Sequence, residues 1–161
     1  MTLTLVILSL VTAERLIELV IAKRNTSALL ARGAREFGAG HYSAIVLLHA
    51  AWLVSLWVLA PGRPILWPFL AAFLVLQAMR VWVLATLGPR WTTRIIVVPG
   101  ERLVTRGPFR LLRHPNYTVV VGEIALLPLA FGLWQVALLF SLANAAILTI
   151  RIRAEEQALG G

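Results

Sequence analysis

Five apolar runs fix what this chain can fold into: Thr2–Ala22, Ser43–Ala60, Ile65–Leu87, Thr118–Phe131 and Leu133–Ile150. A membrane helix needs about 20 mostly apolar residues. Four runs approach or exceed that length; the fourth is shorter and contains Pro128. Gly132 alone separates the fourth from the fifth, so the two read as a helical hairpin. Composition agrees, with 60% hydrophobic residues against roughly 45–50% in soluble domains. The expectation is an all-α integral membrane protein of five transmembrane helices, one membrane-embedded domain over residues 1–161. No basic stretch precedes the first run, which therefore reads as a membrane helix rather than a cleaved leader.

Basic residues set the orientation. Lys23, Arg24, Arg32 and Arg35 follow the first run; Arg90, Arg94, Arg102, Arg106, Arg110 and Arg113 lie between the third and fourth; Arg151 and Arg153 follow the fifth. Five crossings put all three groups on one side, and basic loops favour the cytoplasm. The N-terminus is then outside and the C-terminus cytoplasmic, in the cytoplasmic membrane if the source is bacterial. The formal charge of +8 suggests nucleic acid until this placement is seen; no nucleic-acid partner is expected. No cysteine is present, which excludes thiolate metal sites. His41, His49 and His114 lack ligand spacing, so no metal is expected.

Several polar residues interrupt the runs. Glu14 and Glu18 share a helix face, and Arg15 reaches Glu18 one turn on. They form either a neutralised group facing the bundle or the wall of a substrate pocket. Gln77 and Arg80 point the same way one turn apart, and Arg80 is long enough to snorkel toward the cytoplasmic surface. His49 reads as bonded to a neighbour rather than catalytic, and Trp52 and Trp57 as interfacial. Between the first two runs, Ser27–Phe37 reads as a short interfacial helix weakened by glycine.

The polar segment 88–117 is a loop ending at the fourth helix. Ile95–Val98 looks extended and closes at Pro99–Gly100. Gly107–Pro108 marks a turn, and Pro115 biases His114 away from helical geometry. Pro115, Asn116 and Tyr117 then form the first helical turn, whose free N–H groups suit an anion. If the fifth helix continues into the segment 151–161, Asn144, Arg151 and Glu155 share one stripe. Arg151 and Glu155 alone would be a solvated ion pair; beside the arginine-rich loop they read as functional.

Leu103–Val104–Thr105, Gly107–Pro108–Phe109–Arg110, Arg113–His114–Pro115–Asn116–Tyr117 and Arg151 with Glu155–Glu156 together resemble the isoprenylcysteine carboxyl methyltransferase family. The resemblance covers about Gln77 to Leu159. Chain length and the His41–Tyr42 start of the second helix resemble its small bacterial branch, associated with alkylpyrone-type lipids. It implies a multi-pass membrane enzyme with a cytoplasmic cofactor-binding loop, using S-adenosyl-L-methionine (SAM) to methylate a lipophilic or prenylated acceptor among membrane lipids. It also implies that Glu101, Arg102, Leu103 and Val104 line the cofactor, and that His114, Pro115, Asn116 and Tyr117 hold it. Phe109 stands where the family often has Tyr, and Arg94 stands near a cofactor position with a different residue type. Glu155, or its neighbour Glu156, faces the cofactor. Arg151 faces the substrate, with Asn144 deeper on the same stripe; Arg151 and Glu155 are the catalytic pair.

The resemblance fits the chemistry. Methyl transfer to an already ionised oxygen needs positioning and desolvation more than a strong base, and no His–Asp pair is evident. Two other readings stay open: an NADPH-dependent enzyme like the sterol reductases, which have a segment similar to residues 113–117, and a non-catalytic membrane scaffold. The oligomeric state is open as well.

Overall fold

The computed structural model describes residues 2–160. Its long elements are the helices α1 (Thr2–Ala31), α2 (Tyr42–Leu59), α3 (Trp67–Leu87), α4 (Pro115–Ala130) and α5 (Trp134–Gly160), joined by a two-stranded antiparallel ribbon of β1 (Arg35–Phe37) and β2 (Ile95–Val97). Three helical segments, Ala39–Leu59, Trp67–Arg90 and Trp134–Ala158, are long and apolar enough to cross a membrane. The other two helices fall short for different reasons. α4 has 16 residues, about 24 Å of rise, and α1 carries Glu14, Arg15 and Glu18 within its apolar stretch.

Two expectations about the first run and the segment after it are corrected. No break occurs after Ala22, because Lys23 to Ser27 include no glycine or proline, and α1 runs nine residues further. Gly33 ends it at φ 85°, with Ala34 N–H donating to Leu29 O and Gly33 N–H to Leu30 O; this paired closure is a common glycine stop. The interfacial helix over 27–37 is therefore absent. Its last residues form β1 instead, with Glu36 opposite Ile96. The extended reading of 95–98 is correct for Ile95–Val97.

The α4–α5 hairpin closes by the same pair of bonds, Leu133 N–H to Pro128 O and Gly132 N–H to Leu129 O. Pro128 sits in the last turn of α4 and donates no N–H to Ile124 O, which accepts from the Trp52 indole instead. Gly122 lets α4 lie close to α3: a β-carbon there would collide with Leu76 Cδ1. The apolar core gathers Leu8, Val11, Trp52, Leu56, Phe73, Leu127, Phe131 and Phe140 from all five helices. Trp52 is thus a core residue rather than an interfacial one; its indole N–H donates to Ile124 O at 3.2 Å. Trp57 is partly exposed and donates to Thr12 Oγ1 at 3.0 Å.

A layer of charge crosses the bundle beside this core. Arg80 does not snorkel; it is buried. Its guanidinium bonds Glu18, with Nη2 at 2.6 Å from Oε2, and Glu123 Oε2 at 2.8 Å. Arg15 bridges the same two carboxylates at 3.0 Å each, and Gln77 donates to Glu123 Oε1 at 2.8 Å. Two arginines balance two glutamates at the centre, while Glu14 lies at the edge, 3.8 Å from Arg15. Paired and hydrogen-bonded, these charges tolerate burial that none would tolerate alone.

Candidate active site

The loop between α3 and α4 stays open over a cavity because it is tied down at its edges. Asn25, on the extension of α1, donates to Gly88 O at 3.2 Å and Trp91 O at 2.8 Å. Glu101 meets Arg90 at 2.5 Å and Arg32 at 3.7 Å. Arg94 meets Glu36 at 2.7 Å and lies 4.3 Å above the Tyr42 ring. Gly107, at φ 60°, passes so close to Thr86 that a β-carbon would sit 2.6 Å from its Oγ1.

The cavity beneath has a volume of about 820 Å³. Glu101, Arg102, Leu103, Val104 and Phe109 line it from the loop, His114, Pro115, Asn116 and Tyr117 from the start of α4, and Arg151, Glu155 and Glu156 from α5. Asn144 is not among its walls. The continuation of α5 past Ile150 brings the last group there, since Arg151 and Glu155 fall one turn apart on one face.

Arg151 and Glu155 do not pair directly, as their spacing suggested. The Tyr117 hydroxyl stands between them, accepting from Arg151 Nε at 3.1 Å and donating to Glu155 Oε2. Arg151 Nη2 donates to Thr93 O at 2.8 Å, and the His114 ring stacks on Tyr117 at 5.4 Å between centroids. Three buried polar atoms of this wall have no partner among the described residues: His114 Nε2, Asn116 Oδ1 and Trp91 Nε1. Unpaired buried groups are costly, and in a cavity wall they mark where a ligand would bond.

A second cavity of about 280 Å³ lies on the bundle side of the same residues, between α1, α2 and α5. Trp91, Thr92, Asn116, Tyr117 and Arg151 line both spaces and form the wall between them. Asn144 opens onto the second cavity, as do Arg15 and Glu18. Arg15 and Glu18 thus belong both to the neutralised cluster and to a cavity wall, whereas Glu14 is not among that wall's residues. Sequence reasoning missed Trp91, Thr92 and Thr93, whose signal was a tryptophan and two threonines directly after the Gly88–Pro89 stop. Among the described residues no cluster suits a metal ion.

The model of the isoprenylcysteine carboxyl methyltransferase (ICMT) family matches residues 69–160. The chain belongs to this family. The ICMT match takes in the whole α3–α4 loop, the hairpin and the end of α5. The chain is 39% identical over 158 residues to the uncharacterized protein YpbQ of Bacillus subtilis, covering 95% of this chain and 94% of that one. An uncharacterized Haemophilus influenzae protein is 28% identical over 153 residues, 91% of this chain and 89% of its own. No solved structure gives a significant match. ICMT membership makes the chain a methyltransferase in general terms, with three helices fit to cross a membrane.

Proposed function

We propose that this protein is a SAM-dependent O-methyltransferase whose acceptor is the carboxylate or acidic enol oxygen of a lipophilic molecule with a prenyl or long alkyl chain. The observation that carries the reading is the pair of cavities sharing one wall at Arg151, Tyr117 and Asn116. The space facing the loop, the more polar of the two, suits a water-soluble cofactor. A largely apolar one between helices suits a lipid chain.

The residues fit SAM. His114 Nε2, Asn116 Oδ1 and Trp91 Nε1 are unpaired; the Asn116 oxygen accepts and suits the amine, the Trp91 N–H donates and suits the carboxylate or an adenine nitrogen, His114 Nε2 serves either role by tautomer, and Glu155 places a negative charge near the amine or sulfonium. Bound there, SAM supplies a methyl group whose bond to sulfur breaks, leaving its electron pair on sulfur, as the bond to the acceptor oxygen forms. Arg151 is held on two sides, by Tyr117 and Thr93, so its guanidinium is fixed before the acceptor arrives. It can orient an anionic oxygen, and an ionised oxygen releases no proton on transfer. Tyr117 and Trp91 close the wall against water, which keeps the nucleophile poorly solvated and reactive.

Purified protein should bind SAM and not NADPH, and should transfer labelled methyl to acidic lipids. Each added methylene of the acceptor should strengthen binding about fourfold until the cavity is filled, as about 0.8 kcal/mol per buried CH₂ requires. His114→Ala and Glu155→Gln should weaken SAM binding at least tenfold. Near-wild-type SAM affinity in both variants, or preference for NADPH, would overturn the reading.

A further inference from the structure

The acceptor-side cavity is not uniformly apolar. α2 and α5 flank it in opposite directions, and Thr93 sets their register: its Oγ1 lies 3.0 Å from Tyr42 Oη and its carbonyl accepts from Arg151 at 2.8 Å. Seven residues into the bundle from Tyr42 is His49; seven residues in from Arg151 is Asn144. Seven helical residues are about two turns, or about 10 Å. His49 and Asn144 therefore stand at one depth, about 10 Å below Arg151, and both line the cavity.

Neither side chain is satisfied. His49 Nδ1 lies 2.8 Å from Ile45 O. A carbonyl accepts and cannot donate, so the ring proton belongs on Nδ1 and Nε2 presents a lone pair. That nitrogen has no hydrogen bond to the described residues, and nor has the amide of Asn144, which is 5% exposed. The charged groups lining the cavity do not serve them: Glu18, Arg80 and the two terminal nitrogens of Arg15 are engaged with one another and with Glu123, and Arg15 Nε has no partner among the described residues. An acceptor and an amide left open across an apolar space point to a ligand with a polar group between them.

We propose that His49 and Asn144 form a second recognition point, for a hydroxyl carried by the acceptor about 10 Å from the oxygen that is methylated. The inference rests on the methyltransferase reading above. A hydroxyl suits the pair because one oxygen both donates to His49 Nε2 and accepts from the Asn144 amide. A plain chain leaves both side chains unpaired in a low-dielectric space, and sites built to bond a hydroxyl discriminate strongly against analogues without one.

The test compares two acceptors of equal chain length, one with a hydroxyl about 10 Å from the reactive oxygen and one with a methylene there. Acceptor binding is measured without SAM, and kcat/KM is measured with it. Wild-type protein should favour the hydroxylated acceptor at least tenfold in both. His49→Leu and Asn144→Leu should each bring the ratio near one while SAM affinity is unchanged, and His49→Gln, whose amide oxygen can accept, should keep part of the preference. Moving the hydroxyl four carbons along the chain should abolish it. Equal handling of both acceptors by wild-type protein, or a preference that survives both leucine variants, overturns the inference. Absence of SAM binding and of transfer would overturn the methyltransferase reading instead, and the binding ratio would still judge this one.

Discussion

At the scale of single residues, Tyr117 does what neither neighbour can do alone. It accepts from the guanidinium of Arg151 and donates to the carboxylate of Glu155 through one hydroxyl. Tyr117→Phe removes both bonds without opening a cavity. Hydrogen bonds to charged groups contribute about 1.5–3 kcal/mol each, so methyl transfer should fall about 10- to 100-fold with little change in thermal stability; activity within twofold of wild type would show that the hydroxyl positions nothing. The Arg151–Glu155 stripe was legible because helical spacing is local. The hydroxyl between them was not, because it comes from 34 residues earlier in the chain and from another helix. His49 was legible as a lone intramembrane histidine bonded to a neighbour, which it is, through Ile45 O. That only one of its nitrogens is occupied became visible when the facing helix was in place.

At the scale of elements, hydropathy located the helices well and their ends poorly. The apolar run of α1 stops at Ala22, but helix formation does not require apolar residues, and the polar turns to Ala31 carry Asn25 and Arg32 to the loop. The strand pairing of 35–37 with 95–97 joins segments some 60 residues apart, and three-residue strands leave almost no periodic signal. The cluster joining α1, α3 and α4 was readable residue by residue as Arg15, Glu18, Gln77 and Arg80. Glu123, its hub, passed unnoticed as a single glutamate in the fourth run. Arg80→Met should leave Glu18 and Glu123 facing each other with Arg15 alone to balance them. Removing one member of a buried ion pair costs about 3–5 kcal/mol, so the thermal midpoint in detergent should fall clearly, and adding Glu123→Gln should recover part of the loss. An Arg80→Met protein as stable as wild type would mean that the cluster is not holding the helices together.

At the scale of the whole molecule, the arrangement of helices bears on topology. α5 is 27 residues long, about 40 Å of rise, whereas α4 rises about 24 Å against a hydrocarbon core of about 30 Å. A short helix hairpinned to a long one starts below the membrane surface, which would sink Asn116 and Tyr117 and leave the end of α5 above them. Exposed Leu10, Val20, Leu47, Val75 and Leu139 give the outer faces of α1, α2, α3 and α5 an apolar coat suited to lipid. Five crossings with the loop cytoplasmic is the expectation to test. Reporters fused after Arg35, Arg106 and Gly161 should read cytoplasm and one at Gly62 outside; a cytoplasmic Gly62 would rule this topology out.

The two cavities also divide the chain lengthwise. Leu29 is the one wall residue of the loop-side cavity that precedes the family match at residue 69, whereas more than half of the acceptor-side lining comes from α1 and α2, before it. On the proposed reading, the donor side is written almost wholly in the matched part of the sequence, while the acceptor side is shared: Asn144 and Arg151 come from that part and His49 from the part before it. Relatives alike from residue 69 onward would then share a donor and need not share a substrate.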